Sequence, residues 1–301
     1  MSENFVIETQ DVAKRFGNFE AIDDLNLRVP EGSVFALIGS NGTGKTTTIR
    51  MLMNILRPDR GNIKVLGISS QSLRPGDFER IGYVSEGQRL PGALTLARYF
   101  DYLRSLYPSW DGVLERELRQ QFELPPARKI AQLSHGMRVK ALLVGALAFR
   151  PKLLVLDEPL SGLDTLVRDE IVNGLLQQAA DTTIFISSHE LVEIESFTTH
   201  VAFLQEGRLL LQESIDALQS RFREVSVTLS AVKEPPRPFP ENWLLPEIEG
   251  HRFRFIASQF DERVSVQLTR HFGAVKVETE RMGLREIANA LMQHRKRNAQ
   301  Q

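Results

Sequence analysis

A glycine-rich turn between an apolar strand and a helix constrains this 301-residue chain more than any other feature. Residues 39–46 read Gly-Ser-Asn-Gly-Thr-Gly-Lys-Thr, which matches the pattern G-x-x-x-x-G-K-[ST]. The run before the turn, Val34–Ile38, is wholly apolar, and Lys45–Leu56 after it has helical spacing. This context predicts a loop whose backbone N–H groups surround phosphates at a helix N-terminus.

The side chains of the turn add to this prediction. Lys45 can reach the β- and γ-phosphates of a nucleotide, and the Thr46 hydroxyl can ligate Mg²⁺. The residues expected to contact the nucleotide are Gly39, Ser40, Asn41, Gly42, Thr43, Gly44, Lys45, Thr46 and Thr47.

Two consecutive carboxylates, Asp157 and Glu158, follow the apolar run Leu153–Leu156. Carboxylates at the end of a buried strand are unfavourable unless they meet a cation or accept hydrogen bonds. Asp157 suits an association with Mg²⁺, and Glu158 is placed to polarise an attacking water. Together with the phosphate loop, the pair predicts a nucleoside triphosphatase.

Strand-like and helix-like segments alternate over the first two thirds of the chain, which predicts an α/β core with a mainly parallel sheet. The predicted strands are Phe5–Thr9, Leu25–Val29, Val34–Ile38, Ile81–Ser85, Leu153–Leu156, Thr183–Ser187 and Val201–Gln205. The predicted helices are Lys45–Leu56, Leu96–Leu106, Val113–Phe122, Ser134–Phe149, Asp164–Ala180 and Glu190–Phe197.

The pattern changes after Arg221. A proline-rich stretch at residues 233–240 predicts a stiff surface loop or linker. We therefore expect a nucleotide-binding domain over residues 1–221 and a small accessory α/β domain over residues 222–301. Its predicted elements are the strands Val225–Leu229, Arg252–Ile256 and Val275–Thr279 and the helices Asp261–Phe272 and Leu284–His294.

The composition narrows the class of protein. Lys and Arg number 37 against 38 Asp and Glu, so a generally basic protein that coats nucleic acid is not expected. The chain has no cysteine, which excludes disulfides, thiolate metal sites and a cysteine nucleophile. The longest dense apolar run, Ala141–Phe149, is far shorter than the roughly 20 residues of a spanning helix. We expect neither a membrane span nor a secretory signal.

Four further short motifs accompany the phosphate loop and the paired acids. They are Lys-Arg-Phe-Gly at residues 14–17, Leu-Ser-His-Gly-Met at 133–137, Ser-Gly-Leu-Asp at 161–164 and Ser-Ser-His at 187–189. In this order the motifs resemble those of the nucleotide-binding subunit of ATP-binding cassette (ABC) transporters, over roughly residues 4–220. The resemblance implies an ATPase with an antiparallel N-terminal sheet and a helical subdomain at about residues 88–140.

The resemblance also implies roles for individual residues. Phe16 would stack on adenine, and His189 would contact the γ-phosphate. Ser134 and Gly136 would reach the γ-phosphate of a second subunit from a helix N-terminus, although Ser134 also suits a simple helix cap. Asp164 would organise contacts across the dimer. His135 and Met137 depart from the usual residues of this signature.

The family usually has Gln in the loop after the strand Ile81–Ser85, where it contacts Mg²⁺ and the attacking water. The family's usual spacing from this Gln to the Thr that opens the next helix, here Thr95, implies that Glu86 occupies the position, with Gln88 as the alternative. A bacterial antibiotic-export-like branch of the family is similar in carrying Glu at this position and the run Tyr-Pro-Ser-Trp-Asp, found here at residues 107–111.

The resemblance implies a subunit that binds ATP and Mg²⁺, dimerises head to tail around two ATP molecules and drives a separate integral membrane permease, with a lean towards export. The dimer could be a homodimer or a heterodimer, located in the cytoplasm and held at the inner face of the membrane through the permease. Two alternatives are a soluble cassette ATPase acting on nucleic acid or ribosomes and a small-molecule kinase. The first usually carries two cassettes or a long coiled coil, and the second would lack the Leu-Ser-x-Gly signature. No nucleic-acid partner is therefore expected.

Overall fold

The computed structural model describes residues 4–230, 239–261, 268 and 274–299. The chain divides into two compact units, Met1–Gln212 and Glu213–Gln301. The predicted domain boundary after residue 221 lies within the second unit, directly after its helix Ile215–Arg221.

The strands in chain order are β1 (Phe5–Phe16), β2 (Phe19–Leu25), β3 (Arg28–Pro30), β4 (Val34–Ile38), β5 (Arg60–Val65), β6 (Ile68–Ser69), β7 (Ile81–Val84), β8 (Leu153–Asp157), β9 (Thr183–Ser188), β10 (His200–Gln205), β11 (Arg208–Ser214), β12 (Arg223–Leu229), β13 (Trp243–Glu249), β14 (Arg252–Ala257) and β15 (Ala274–Arg281). The helices are α1 (Lys45–Leu52), α2 (Leu96–Leu106), α3 (Gly112–Gln121), α4 (His135–Leu147), α5 (Thr165–Gln178), α6 (Ile215–Arg221) and α7 (Leu284–Ala299).

A five-stranded antiparallel sheet forms at the N-terminus, as expected. Its long strand β1 pairs antiparallel with β2, β3 and β5, and β6 extends the sheet beside β5. β1 runs to Phe16, well beyond the predicted end at Thr9. Its first half pairs with β3 and its last residues pair with β2, so both parts of the strand have a partner. The sequence did not predict β2 or β5, because polar residues obscure the alternation of apolar and polar side chains in both strands.

The second sheet has six strands in the order β11-β10-β4-β9-β8-β7. Strands β10, β4, β9, β8 and β7 are mutually parallel. β4 and β8 are buried along their whole length, which is why both read as continuous apolar runs. The carboxyl ends of parallel strands lie at the same edge of a sheet. Ile38, Asp157 and Ser188, the last residues of β4, β8 and β9, therefore lie close together at that edge.

Helices α2 and α3 and the first turns of α4 fall within the range predicted for the helical subdomain. The apolar run Ala141–Phe149 belongs mostly to α4 and is buried throughout, so it packs inside the protein. In the part of the chain that the structure describes, no helix is both long and apolar enough to cross a membrane.

Helix α1 is shorter than predicted and ends at Leu52 instead of Leu56. Asn54 adopts a left-handed backbone conformation with φ of 55°. The N–H groups of Ile55 and Leu56 both donate to the Arg50 carbonyl, at 2.9 and 3.0 Å. This is a helix-terminating arrangement, and it overrides the apolar spacing that continued to Leu56.

The predicted strand Leu25–Val29 was also wrong, because β2 ends at Leu25 and β3 begins at Arg28. The Thr9 hydroxyl explains the interruption. It donates to the Leu25 carbonyl at 2.8 Å and accepts the Leu27 N–H at 2.7 Å. The side chain thus takes the backbone groups that a continuous ladder would use.

The predicted helix Glu190–Phe197 is a third error. The segment forms only a 3-10 turn, Leu191–Glu193, followed by further turns. The Ser188 hydroxyl accepts the Glu190 N–H at 3.0 Å, which competes with a regular helical start. The buried contacts of Glu193, described below, hold the turn in place.

The second unit contains a four-stranded antiparallel sheet in the order β13-β14-β12-β15. The alternation predicted for Val225–Leu229 is present in β12, and the inward side chains pack on Trp243, Phe253 and Phe255. β13 was not predicted. The predicted helix Asp261–Phe272 and the proline-rich stretch fall mostly outside the described residues. The predicted α/β fold class is confirmed.

Candidate functional site

The glycine-rich turn links β4 to α1 at the edge of the central sheet. Lys45 opens the helix and is buried, and its ammonium group donates to the carbonyls of Gly39 at 2.6 Å and Ser40 at 3.3 Å. The Thr43 hydroxyl donates to the same Ser40 carbonyl at 2.9 Å. Gly44 precedes the helix with φ of 106°, a conformation that favours glycine. The turn is therefore held in one shape by its own side chains.

Neighbouring strands support the turn from outside. A Cβ atom at Gly44 would lie 2.6 Å from the Ala21 carbonyl oxygen of β2. Gly207, in the turn between β10 and β11, donates its N–H to the Thr43 carbonyl at 3.2 Å and accepts the Asp23 N–H at 2.9 Å. Gly207 could not be predicted from the sequence, because a Glu-Gly turn between two strands gives no local sign of this contact.

The remaining residues of the turn differ in exposure. Ser40, Asn41 and Gly42 are exposed, while Thr46 and Thr47 at the start of α1 are half-buried. The backbone of this stretch therefore faces solvent beside a helix N-terminus, where an anion is stabilised.

Glu158 joins Lys45 to His189 across this edge of the sheet. Its Oε1 lies 3.0 Å from Lys45 Nζ, and its Oε2 lies 2.8 Å from His189 Nδ1. The His189 N–H also donates to Oε2, at 3.3 Å. The side chains of Lys45 and Glu158 are only 5% and 6% exposed, so this is a buried ion pair. Glu158 has φ of 50°, a strained conformation for a non-glycine residue.

Asp157 is held by two hydroxyl groups. Ser187 Oγ donates to Asp157 Oδ1 at 2.8 Å, and Thr46 Oγ1 donates to the same oxygen at 3.2 Å. Ser187 Oγ also accepts the Glu158 N–H at 3.0 Å, so one hydroxyl orients both acids. Burial raises the pKa of Asp157, and the two hydroxyl hydrogen bonds oppose that rise.

The role of Ser187 could not be predicted from the sequence, where this serine is only part of the Ser-Ser-His motif. Ser187 pairs with Asp157 in the register of the parallel strands β8 and β9. Only that register brings the hydroxyl to the carboxylate, and a single sequence does not specify it.

The pKa of His189 is raised above its usual value, chiefly by its hydrogen bond to Glu158. Partial burial lowers it, and the charges of Glu158, Glu190 and Glu193 raise it further. The protonated ring is thus stabilised by the carboxylates around it.

Glu86 and Gln88 lie in the loop after β7, and both line a cavity together with Asp157 and Glu158. Gln88 Oε1 accepts the Ser85 N–H at 3.1 Å, so its side chain folds back onto its own loop. Glu86 is exposed, and its carboxylate supplies oxygen atoms of the type that bind hard cations, at the cavity that the paired acids also line.

The remaining predicted residues lie at the starts of other elements. Ser134 is exposed and accepts the Met137 N–H at 3.2 Å, which makes it the N-cap of α4. Gly136 is buried against Val167 of α5. Asp164 caps α5 by accepting the Val167 N–H at 3.0 Å. Within this chain Ser134 and Asp164 therefore serve as helix N-caps, and Gly136 allows the start of α4 to pack closely on α5.

Phe16, at the end of β1, is 50% exposed, and its ring lies 5.7 Å from the ammonium group of Lys14. Phe16 pairs with Phe19 across the β1–β2 hairpin, and Phe19 is also exposed. The Phe16 ring is therefore accessible at the hairpin that leads into β2, the strand beside Gly44.

Comparison with known proteins identifies the class of protein. The family model for ABC transporters matches residues 22–161. The bacitracin transport ATP-binding protein BcrA of Enterococcus faecalis is 31% identical over 231 residues, which cover 74% of each protein. This chain belongs to the ABC transporter family. The ABC transporter ATP-binding protein YtrB of Bacillus subtilis (strain 168) is 30% identical over 224 residues, covering 74% of this chain and 76% of YtrB.

A solved structure of an ATP-binding subunit of an ABC transporter has the same fold. It superimposes with a TM-score of 0.65 at 27% identity and covers 71% of this chain and 92% of its own. The chain is therefore the ATP-binding and ATP-hydrolysing subunit of an ABC transporter.

Proposed function

We propose that the phosphate loop, Asp157, Glu158 and His189 form one half of the ATP hydrolysis site of this ABC subunit. The observation that carries the proposal is the position of Glu158, whose carboxylate is held between the Lys45 ammonium and the His189 ring. A carboxylate fixed there is suited to accept a proton from the attacking water. Lys45 and the loop N–H groups would bind the phosphates, and His189 would contact the terminal one.

The residues beside Asp157 fit Mg²⁺. The Asp157 carboxylate, the Thr46 hydroxyl and Glu86 offer oxygen donors only, which is the ligand type Mg²⁺ prefers. When bound, Mg²⁺ would neutralise charge on the phosphate oxygens. In this chain Ser187 keeps the Asp157 carboxylate oriented towards Thr46, and Glu86 lines the same cavity from the loop after β7. Of the two loop candidates we favour Glu86, because the Gln88 side chain is engaged by Ser85.

We further propose that two ATP molecules are bound between two head-to-tail subunits. Ser134 and Gly136 lie at the N-terminus of α4, a helix of 13 residues, and Ser134 is exposed. A phosphate of the other subunit's nucleotide could be stabilised by this helix start. Asp164, exposed at the start of α5, would contribute to the same interface. Both a homodimer and a heterodimer fit these residues.

The adenine base is assigned to Phe16. Its exposed ring offers a π face, and β2, which pairs with this part of β1, packs directly on Gly44 of the phosphate loop. Stacking of a base on an aromatic ring contributes about 1–3 kcal/mol in nucleic-acid complexes, which gives the scale expected here.

The subunit would act on a separate integral membrane permease at the inner face of the membrane. Two relatives are named bacitracin transport ATP-binding protein, from Enterococcus faecalis and Bacillus licheniformis, which supports an assignment to antibiotic transport. The direction, export, rests on the resemblance of the motifs. The same names disfavour the alternative of a soluble ATPase acting on nucleic acid or ribosomes.

Purification from native membranes tests this assignment. The full chain should copurify with a polytopic membrane protein that mass spectrometry identifies, and the complex should hydrolyse Mg-ATP. For a homodimer, light scattering of the isolated Glu158→Gln subunit should show a dimer with Mg-ATP and a monomer without nucleotide; for a heterodimer, the second ABC subunit should copurify in the complex. Copurification with ribosomes or nucleic acid instead of a membrane protein would contradict the proposal.

A further inference from the structure

Glu193, a buried carboxylate outside the sequence motifs, lies four residues after His189. Glu193 closes the 3-10 turn Leu191–Glu193 and is only 4% exposed. A carboxylate buried to this extent destabilises the fold unless it is paired and accepts hydrogen bonds. Its partners therefore indicate why the chain places a glutamate there.

The first partner of Glu193 is Ser188, the residue directly before His189. Ser188 Oγ lies 3.1 Å from Glu193 Oε2 and accepts the Glu190 N–H at 3.0 Å. Its single proton can go to Glu193 or to the Glu190 carbonyl, which is 3.0 Å away. Ser188 is almost fully buried. The chain is thus fixed on both sides of His189 through one hydroxyl.

The second partner is Arg168 on α5. Arg168 Nη2 lies 2.9 Å from Glu193 Oε1, and the two side chains are 23% and 3% exposed. The Arg168 N–H donates to the Asp164 carbonyl, so the cation belongs to the first turn of α5. Glu193 therefore connects the segment around His189 to α5, an element that does not include that segment.

We propose that Glu193 is a positioning residue for His189, acting through Ser188 and anchored to α5 by Arg168. The proposal rests on the proposed role of His189 at the terminal phosphate. The bonds to Glu158 hold His189 on one side, and the Arg168–Glu193–Ser188 contacts hold the backbone on either side of it. Without the second set of contacts the backbone around His189 shifts, and the ring moves relative to Glu158. Small displacements of groups that orient a substrate lower turnover strongly.

A purely structural role for Glu193 makes a different prediction. If the carboxylate only stabilised the fold, its loss would reduce activity to the same degree whether or not His189 were present. If it acts through His189, its loss should have no further effect once the imidazole has been removed.

The test uses the purified full chain with Glu193→Gln, His189→Ala and the double variant, each measured in single-turnover and steady-state ATP hydrolysis. Glutamine keeps the size of the side chain and an acceptor for Ser188, and removes the charge that pairs with Arg168. Asp181→Asn, an exposed site at the other end of β9, is the control for loss of one negative charge. Ser188→Ala follows the same scheme and replaces Glu193→Gln if that variant does not fold.

We expect Glu193→Gln to lower the hydrolysis rate about tenfold while the KM for ATP changes by less than about twofold. In the His189→Ala background the same change should alter the rate by less than about twofold. Amide hydrogen exchange at His189 and Glu190 should accelerate in Glu193→Gln and not in Asp181→Asn. Equal losses in both backgrounds, or no loss in the wild-type background, would overturn the inference. Full activity of His189→Ala would overturn the proposed role of His189 itself.

Discussion

His189 Nδ1 lies 2.8 Å from Glu158 Oε2, and the His189 N–H donates to the same oxygen at 3.3 Å. The histidine and the proposed general base therefore form one unit, with the Lys45 ammonium on the other side of the carboxylate. The proposed roles of Lys45, Glu158 and His189 differ, and the almost fully buried Glu158 carboxylate connects the other two side chains.

This contact predicts a pH-dependent contribution to stability. The hydrogen bond to Glu158 raises the pKa of His189 in the folded protein. Its stabilisation is therefore fully present below the unfolded pKa of about 6.5 and is lost as the pH rises through the folded pKa. Melting of nucleotide-free wild type and His189→Asn between pH 5.5 and 9 should show a difference that shrinks towards high pH. A difference that grows with pH would contradict the assignment.

Two glycines of the phosphate loop allow a matched comparison. Both have positive φ, 106° at Gly44 and 84° at Gly42. A Cβ at Gly44 would lie 2.4 Å from Ile22 Cδ1 and 2.6 Å from the Ala21 carbonyl oxygen, whereas a Cβ at Gly42 would have no atom of the described residues within 4 Å. Gly42→Ala should reduce the free energy of unfolding by about 1 kcal/mol and Gly44→Ala by about 3 kcal/mol or more. Denaturant titration without nucleotide measures both, and equal losses would show that β2 does not constrain the loop.

The loop after β7 yields a prediction about metal dependence. A carboxylate at Glu86 adds a negative charge beside the nucleotide, which should ligate Mg²⁺ better than an amide does and repel the triphosphate when the metal is absent. Glu86→Gln should weaken the dependence of hydrolysis on Mg²⁺, and the control Gln88→Ala should leave the Mg²⁺ midpoint unchanged. Both are titrated with Mg²⁺ at fixed ATP. A shift in Gln88→Ala alone would assign the metal to Gln88.

The accessory domain proposed for residues 222–301 is expected to be dispensable for nucleotide binding. A chain ending at Arg221 should melt cooperatively and bind ATP with a Kd within about threefold of the full chain. A chain ending at Glu206 is the control, because it lacks β11 and the Gly207 N–H that bonds to Thr43. That shorter chain should lose ATP binding. Loss of folding in the chain ending at Arg221 would show that the proposed boundary is misplaced.

The sequence predicted those parts of the site whose function depends on local geometry. A strand, a glycine turn and a helix place Lys45 and Thr46 close together in the sequence. The paired acids lie at the end of a strand that is otherwise apolar because it is buried along its whole length. The start of α4 was predictable for the same reason, because the Ser134 hydroxyl accepts the N–H of Met137, three residues later in the sequence.

The parts that could not be predicted depend on contacts distant in sequence. Ser187 acquires its role from the register between β8 and β9, and Gly207 from a turn packed on the phosphate loop. The segment after His189 has the spacing of a helix, yet Arg168 and Ser188 draw Glu193 into a tighter turn. In each case a tertiary contact outweighs the local preference.

The most direct test of the account is ATP turnover by Glu158→Gln. Because the amide cannot accept the proton of the attacking water, turnover should fall at least about 10²-fold. ATP binding should persist, since Lys45 and the loop N–H groups remain. The variant should therefore accumulate an ATP-bound dimer, measured by light scattering with Mg-ATP. Hydrolysis at the wild-type rate would contradict the role given to Glu158, the central claim made for this site.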